Sequence, residues 1–216
     1  MEGSATCWLI YHPRRQVRQL DGRTVYHDST VGNQDPYLWN DTFLHSYCHI
    51  TQMRPEIGGI HLWVSGDAFP EFSSLYCDLV FVVAQKRQWQ DANDIAPGDP
   101  LVDTAEAFND HYRWHSQHRF ARRKRYTLKA DAECSFQPQT ADAGLVDIVP
   151  MLVRHGLALG QLRGCMRAGR GSKPLRLELP VAAAIAAELR RAAIVLKGPE
   201  FRQIRLRHPE LASPVR

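Results

Sequence analysis

The sequence predicts an α+β fold, a mixed β-sheet with flanking helices and a helical extension at its C-terminal end. Strand-like segments of alternating or continuously apolar residues dominate the first two thirds of the chain. Helical patterns dominate the last third, where residues 180–193 are rich in alanine. A hydrophobic content of 44% in 216 residues is enough to bury a sizeable core.

Five strands are predicted from their apolar patterns and from the turn residues beside them. The first ends before Pro13, the second follows a turn at Asp21-Gly22, and the third follows Gly58-Gly59. The fourth is a continuous apolar run typical of a buried strand, and the fifth alternates like a long strand with one solvated face. In chain order they cover residues 7–11, 23–27, 60–64, 79–84 and 126–136.

Helices are predicted where apolar residues recur at helical spacing or where alanine predominates. Asp35 fits an N-cap, with Pro36 in the first turn that follows it. The helical segments are residues 37–48, 104–118 and 180–193, with a strand and a short helix within 145–155. We expect a loop or broken helix over 156–173, and a peripheral or mobile tail over 202–216.

Charge divides the chain into two halves of opposite sign. Residues 1–110 hold 7 Lys and Arg against 15 Asp and Glu, whereas residues 111–216 hold 20 against 8. Nucleic acid is the commonest polyanion that such a basic surface binds. The split therefore predicts a polyanion-binding surface beside an acidic region that could hold catalytic carboxylates.

The basic half contains two clusters that fit contacts to a phosphate backbone. Glycines in the second cluster let backbone N–H groups approach a phosphate, and the planar arginine fork matches its oxygens. Tyr112 and Trp114 precede the first cluster, as in surfaces that contact bases. A solvated helix face and a flexible Arg-rich loop are the alternative interpretation. The candidate backbone ligands are Arg119, Arg122, Arg123, Lys124, Arg125, Lys129, Arg163, Arg167, Arg170 and Lys173, with Arg176 at the end of the second cluster.

Residues 26–45 combine carboxylates, amides, histidines and aromatic rings, which suits a nucleobase pocket. Amide groups can pair with the edge of a base, and rings can stack on its face. A carboxylate can orient water or stabilise an oxocarbenium ion. An ordinary strand, turn and helix with core aromatic residues is the alternative. We expect catalysis from Asp35, Asp28 and Asn33, and a base pocket lined by Gln34, Tyr37, Trp39, His45, Trp63 and Tyr26.

The five cysteines are odd in number and widely spaced, which suits reduced thiols in a reducing compartment. No CxxC pair exists and the zinc-deaminase pattern is missing, so we expect no metal site and no other cofactor. No run approaches the roughly 18 apolar residues that a membrane helix needs. The N-terminus lacks the order of a secretory signal, so we expect a cytoplasmic protein with no membrane partner.

Several short segments resemble the EVE/YTH branch of the PUA-like superfamily over roughly residues 7–136. Trp8-Leu9-Ile10 is similar to the opening strand of that family. The other similar segments are residues 21–26 (DGRTVY), 31–34 (VGNQ), 60–65 (IHLWVS), 79–87 (LVFVVAQKR) and 125–136. The resemblance implies a small curved sheet with helices around it and an aromatic pocket that binds modified or flipped bases.

This resemblance also implies a domain organisation. Residues 1–140 would form the base-recognition domain, and residues 141–216 a basic helical extension packed on it, unless the two form a single domain.

A second resemblance concerns Gln34-Asp35-Pro36-Tyr37, which is similar to the QDPY motif of uracil-DNA glycosylases. In those enzymes the aspartate orients the attacking water. The tail segment 208–214 (HPELASP) is loosely similar to their HPSPLS loop. In this chain Asn33 replaces the glycine that normally precedes the glutamine.

Both resemblances imply that the protein handles a base outside the stack. We expect a DNA-binding enzyme that extrudes a modified or non-standard base and hydrolyses its N-glycosidic bond, as a DNA glycosylase does. Defence against phage with modified DNA would suit such an activity. The alternatives are a non-catalytic EVE-like reader of modified bases, an RNA-binding protein of the PUA-like group, and a regulatory domain whose basic loop binds another acidic partner.

Overall fold

The computed structural model describes residues 5–11, 16–27, 55–66, 71–88, 90–91, 113–114, 126–166 and 174–209. This part of the chain forms strands and helices that alternate in its last third. The strands are β1 Cys7–Tyr11, β2 Gln16–Leu20, β3 Arg23–His27, β4 Ile60–Gly66, β5 Leu75–Gln88, β6 Gln90–Asp91, β7 Arg113–Trp114, β8 Tyr126–Ala130, β9 Phe136–Gln139, β10 Val146–Asp147, β11 Leu175–Leu177 and β12 Ile194–Lys197. The helices are α1 Val149–Arg154, α2 Leu159–Met166, α3 Leu179–Leu189 and α4 Gly198–Arg207. Among these helices, none has the length and apolar character needed to cross a membrane.

Eight strands form one mixed sheet, which confirms the predicted α+β class with a large mixed sheet. Six of them lie side by side in the order β11-β1-β4-β5-β9-β12, while β8 and β10 pair with β5 outside that path. Within the described sheet β1 and β4 run parallel, and the other pairs are antiparallel. Strands β2 and β3 form a separate hairpin, and β6 and β7 a short parallel pair. None of the described sheets closes on itself.

Alternation along the strands divides the core into two layers, one on each face of the sheet. Cys7, Leu9 and Tyr11 of β1 lie in the cluster that also holds the buried residues of α1, α2 and α3. Trp8 and Ile10, one residue out of step, belong to the cluster formed with the β2–β3 hairpin and α4. We call the first side of the sheet the helix face and the second the hairpin face.

Strands from both sides of residue 140 belong to this one sheet. β10 pairs with β5, β11 with β1, and β12 with β9. Both core clusters also combine the two parts of the chain, as Leu9 with Ile185 and Leu79 with Phe201 show. The described C-terminal residues therefore contribute strands to the sheet as well as helices.

Several predicted elements are found where the sequence indicated them. β1 and β3 coincide with the predicted strands, and the predicted third and fourth strands lie within β4 and β5. The strand and short helix expected within 145–155 are β10 and α1. Helix α3 begins one residue before the start predicted from the alanine-rich segment. In the described chain all four helices lie after residue 148.

The predicted strand 126–136 is wrong in its length, because a turn divides it into β8 and β9. Asp131 Oδ1 accepts hydrogen bonds from the N–H groups of Glu133 and Cys134, both at 2.9 Å. An aspartate that binds the backbone two and three residues ahead favours a turn over a continuous strand.

The other differences lie in helices. Arg113–Trp114 lie within the predicted helix 104–118 but form strand β7, which pairs with β6. At these two residues strand pairing was favoured over the local helical pattern. Leu159–Met166 form helix α2, so of the two alternatives expected for this segment the described part agrees with a broken helix and not with a loop. Helix α4 covers much of the expected peripheral tail, because Phe201 and Ile204 are buried on the hairpin face. The predicted helix 37–48 lies outside the described residues.

Candidate functional site

Helix α4 begins at a junction that holds it against the sheet. Glu200 Oε2 accepts a hydrogen bond from the N–H of Lys197 at 2.9 Å, which is one half of a capping box. The N–H of Gly198 donates to the carbonyl of Ala132 at 2.9 Å. A Cβ atom on Gly198 would lie 2.5 Å from Cβ of Ala132. The start of α4 therefore rests directly on the turn between β8 and β9.

The β2–β3 hairpin places a tight turn near the other end of α4. Asp21 and Gly22 have φ values of 52° and 73°, the positive values that a type I′ hairpin turn requires. The carbonyl of Thr24 in β3 accepts hydrogen bonds from Nε2 of Gln137, at 3.2 Å, and from Nε2 of Gln139. Both glutamines lie in β9, so these bonds fix the hairpin over the sheet.

Asp21 joins this turn to the C-terminal end of α4. Its Oδ2 accepts a hydrogen bond from Nε of Arg207 at 2.6 Å, and Nη2 of Arg207 lies 2.6 Å from the same oxygen. Its Oδ1 lies 3.0 Å from Nε2 of His208. The contacts to His208 and then to Arg207 lower the pKa of Asp21, because they favour the charged carboxylate. We call these three residues the Asp21 clasp.

An open groove of about 480 Å³ lies between the hairpin turn and α4. Three of its lining residues are arginines, and an amide side chain lies among them. Arginine forks and amide N–H groups are donors that fit phosphate oxygens. The described lining residues are Asp21, Arg23, Pro199, Glu200, Arg202, Gln203, Ile204 and Arg207.

The two carboxylates of the groove are both engaged in local contacts. Glu200 accepts from the backbone at the start of α4, and Asp21 is held in the clasp. Arg23 is exposed and forms no ion pair with any residue in the described part of the chain. The groove therefore offers cationic donors to an incoming anion.

The structure describes two of the predicted pocket residues. The backbone of Tyr26 lies in β3, three residues after Arg23. Trp63 lies in β4, is 6% exposed and belongs to the core cluster of the hairpin face. It is not among the described residues that line the groove. The other predicted catalytic and pocket residues lie outside the described residues: Asp28, Asn33, Gln34, Asp35, Tyr37, Trp39 and His45.

Strand β3 connects the groove to residues 26–45, the segment predicted to form the base pocket. Its first residue, Arg23, lines the groove, and its last residue, His27, precedes Asp28. Four residues of extended chain span about 13 Å, at about 3.3 Å per residue. A ligand bound along β3 would therefore lie near Arg23 at one end of the strand. At the other end it would lie near His27, the residue that precedes Asp28 in the sequence.

Arg163 is a predicted phosphate ligand that makes contacts within the fold. Its Nε and Nη2 donate to the carbonyl of Phe72 at 3.0 and 2.7 Å, and its Nε lies 4.0 Å from Glu71. Its guanidinium also lies 6.0 Å from the ring centroid of Phe72. Since α2 belongs to the helix face, the sheet separates Arg163 from the groove. Phosphate binding by Arg163 would compete with these contacts.

The remaining predicted backbone ligands are divided between the sheet and undescribed segments. Lys129 is half-buried in β8, where it pairs with Gln85 of β5. Arg176 is exposed in β11, opposite Trp8. The others lie outside the described residues: Arg119, Arg122, Arg123, Lys124, Arg125, Arg167, Arg170 and Lys173.

Sequence reasoning missed the three arginines of the groove. A local signal for α4 was present, since Pro199 and Glu200 suit a first helical turn and Phe201 and Ile204 are three residues apart. That signal would have placed Arg202 on the outer side of a helix. No local pattern could have indicated that this helix meets the Asp21-Gly22 turn.

Among the described residues, burial holds one histidine and two cysteines in their uncharged forms. Burial lowers the pKa of His61 to about 3, and its ring stacks on Phe81 with centroids 6.0 Å apart. Burial raises the pKa values of the Cys7 and Cys77 thiols, which disfavours thiolates at neutral pH. Within the described ranges, no three His, Cys, Asp or Glu side chains are grouped so that they could hold a metal ion.

Comparison with known proteins finds no match to this chain among protein-family models, curated proteins or solved structures. The chemistry of its own residues is therefore the basis for inferring its function.

Proposed function

We propose that this protein binds DNA through the arginine-lined groove and its basic C-terminal half, and excises a modified or non-standard base. The observation that carries this proposal is the arrangement of Arg23, Arg202 and Arg207 around one open groove. These residues come from a hairpin and from the last helix, so the fold brings together cations that are far apart in sequence. Several arginine forks on one surface suit the phosphates of a strand.

The size and polarity of the groove support a nucleotide-sized ligand. Its volume of about 480 Å³ lies within the range of about 300–1,000 Å³ that is usual for ligand sites. Gln203 adds an amide that can donate to a phosphate oxygen or pair with a base edge. Pro199, which is exposed, adds an apolar surface against which a sugar could pack.

The catalytic part of the proposal depends on the chain order along β3. A base that leaves the stack needs its backbone held close to the pocket that receives it. Arg23 would hold a phosphate, while the segment that begins at Asp28 would receive the base. In that segment Asp35 would orient water, and Asn33 and Gln34 would pair with the base edge. The EVE/YTH-like curved sheet and a base pocket formed by the segment that begins at Asp28 belong to this proposal.

The proposal is tested with DNA duplexes that carry uracil or modified cytosines. The protein is incubated with each duplex, and the products are treated with alkali, which breaks the strand at an abasic site. We expect breaks at the modified position. Asp35→Asn or Asp28→Asn should abolish cleavage but leave binding within about twofold, whereas Asp142→Asn, in an exposed turn after β9, should leave both unchanged.

Two outcomes would favour the alternatives. Binding to a modified duplex without strand breaks in any preparation would indicate a non-catalytic reader. Tighter binding to an RNA duplex than to DNA would indicate an RNA-binding protein. A binding constant that hardly changes between about 50 and 200 mM salt would count against all three nucleic-acid interpretations, since phosphate contacts release counterions.

A cytoplasmic location and a role against phage with modified DNA accord with this activity. Both remain parts of the proposal. The proposed hydrolysis uses a carboxylate and water, so the purified protein should act without added metal or other cofactor, and the cleavage assay in the presence of a chelator checks this.

A further inference from the structure

We propose that the groove is an anion-exchange site in which Asp21 is a built-in competitor of the nucleic-acid phosphate for Arg207. The proposal rests on the proposed function and deepens it, because it identifies the phosphodiester as the ligand of the groove and Asp21 as a residue that sets its affinity. Binding of a strand would replace the Asp21 carboxylate by a phosphate on the same guanidinium.

The clasp occupies one edge of the Arg207 guanidinium at which a phosphate could bind. Nε and Nη2 of Arg207 both lie 2.6 Å from Oδ2 of Asp21. These two atoms form one edge of the arginine fork, which is the edge that binds carboxylate and phosphate in parallel hydrogen bonds. A phosphate in the groove can therefore bind this edge of Arg207 only when the Asp21 carboxylate leaves it.

Replacing the Asp21 carboxylate by a phosphate costs little free energy, because the side chains of Asp21 and Arg207 are already partly exposed to water. The side chains of Arg207 and Asp21 are 54% and 31% exposed. Ion pairs between exposed groups shift an equilibrium by less than about fivefold. Water can solvate the released carboxylate, so the clasp competes with a ligand without closing the groove to it.

The hairpin would stay in place when the clasp opens. Five residue pairs join β2 to β3, and Gly22 has the positive φ that its turn requires. The contacts of Thr24 with β9 do not involve Asp21. Opening the clasp therefore moves a side chain and leaves the backbone of the site unchanged.

Competition of this kind lowers the affinity of the groove for any phosphate that binds Arg207, by the same factor for a single phosphate and for a strand. A strand also brings neighbouring phosphates to Arg23 and Arg202, which line the same groove. These additional contacts let a strand stay bound at concentrations where a single phosphate, weakened by Asp21, does not.

The test compares four variants by fluorescence anisotropy at low salt, with a labelled DNA duplex of unmodified sequence as the probe. They are Asp21→Asn, Arg207→Ala, the double variant of these two, and Glu178→Gln as the control for charge. Asparagine tolerates positive φ, so Asp21→Asn keeps the turn. Glu178 is exposed at the start of α3, which belongs to the helix face, so Glu178→Gln removes one negative charge away from the groove.

We expect Asp21→Asn to tighten duplex binding about three- to fivefold, since it removes the competitor for Arg207. Arg207→Ala should weaken binding by a similar factor. In the Arg207→Ala background, Asp21→Asn should change affinity less than about twofold, because no guanidinium is left to compete for. Glu178→Gln should also change it less than about twofold.

Two results would overturn the inference and leave DNA binding intact. One is an affinity of Asp21→Asn equal to that of the unaltered protein, while Arg207→Ala weakens binding. The other is equal tightening by Asp21→Asn with and without Arg207, or by Glu178→Gln, which would indicate a general effect of charge.

The absence of duplex binding would count against the proposed function, and the role of Asp21 would then be tested separately. If no variant binds the duplex, titration with inorganic phosphate, followed by the NMR signals of the arginine Nε–H groups, still measures the competition. Tighter phosphate binding by Asp21→Asn than by the unaltered protein would then support the role of Asp21, and equal binding would overturn it.

Discussion

The amide of Gly198 donates a hydrogen bond to the carbonyl of Ala132 at 2.9 Å, and this contact anchors the last helix to the turn between β8 and β9. The two residues touch so closely that a Cβ atom on Gly198 would lie 2.5 Å from Cβ of Ala132 and 2.7 Å from its carbonyl oxygen. The helix that starts here carries Arg202 and Arg207, so the geometry of the groove depends on a residue without a side chain.

We predict that Gly198→Ala lowers the free energy of unfolding by about 1–3 kcal/mol, because the added methyl group overpacks a backbone contact. Urea denaturation measures this change. The matched control is Gly164→Ala in α2, where an added Cβ meets no atom within 4 Å. That variant should be neutral or more stable by up to about 1 kcal/mol, from the gain in helix propensity. Equal stability of the two variants would contradict the tight contact at Gly198.

His61 predicts a specific loss of stability in acid. The folded protein resists its protonation down to about pH 3, whereas in the unfolded chain it takes up a proton below its ordinary pKa of 6.5. Its contribution is therefore intact above about pH 6.5 and declines as the pH falls towards 3, by up to about 1.4 kcal/mol per pH unit.

The corresponding measurement compares urea unfolding at pH 7, 6 and 5, values chosen to lie within that window. His61→Gln removes the titrating group and should flatten the decline relative to the unaltered protein. His155→Gln, at the exposed C-cap of α1, should leave the decline unchanged. An equal decline in the His61→Gln protein would show that other groups cause the acid sensitivity.

Gln139 provides a test of the polar contacts beneath the hairpin. Its Oε1 is buried and has no hydrogen-bond partner in the described structure, while its Nε2 shares the Thr24 carbonyl with Gln137. A buried acceptor without a partner costs about 1–3 kcal/mol. Gln139→Met, which has a similar shape, should therefore be neutral or stabilising by about 1 kcal/mol, as a rise in the urea midpoint at constant slope would show. A clear drop in the midpoint would mean that the lost donor outweighs the relieved acceptor.

The salt dependence of DNA binding should report how many phosphates the groove contacts. Each phosphate neutralised on a duplex contributes about −0.9 to the slope of log K against log salt. Arg23→Ala should therefore make this slope less steep by about 0.9. Arg154→Ala, which removes a cation paired with Glu188 at 2.5 Å on the surface of the helix face, should leave it unchanged. Equal slopes for the two variants would exclude Arg23 as a phosphate ligand.

Local patterns predicted much of the sheet because side-chain alternation is a property of neighbouring residues. Cys7–Tyr11 and Arg23–His27 form strands at the predicted positions. β2, β11 and β12 escaped prediction since they take their extended form from pairing with β3, β1 and β9. Residues 28–50 lie outside the described structure, so the predicted catalytic and pocket residues from Asp28 to His45 stay predictions.

The sequence by itself determined several strand-forming segments, such as β1 and β3, and the division of charge between the two halves of the chain. These depend on the identity of each residue and its near neighbours. Only the tertiary structure decided that Asp21 meets Arg207, 186 residues further along the chain. The hairpin and α4 cover the same face of the sheet, and a contact between such distant segments follows from burial of their apolar sides, for which the short-range pattern carries no signal. The groove therefore arises from packing, although the arginines that line it are visible in the sequence.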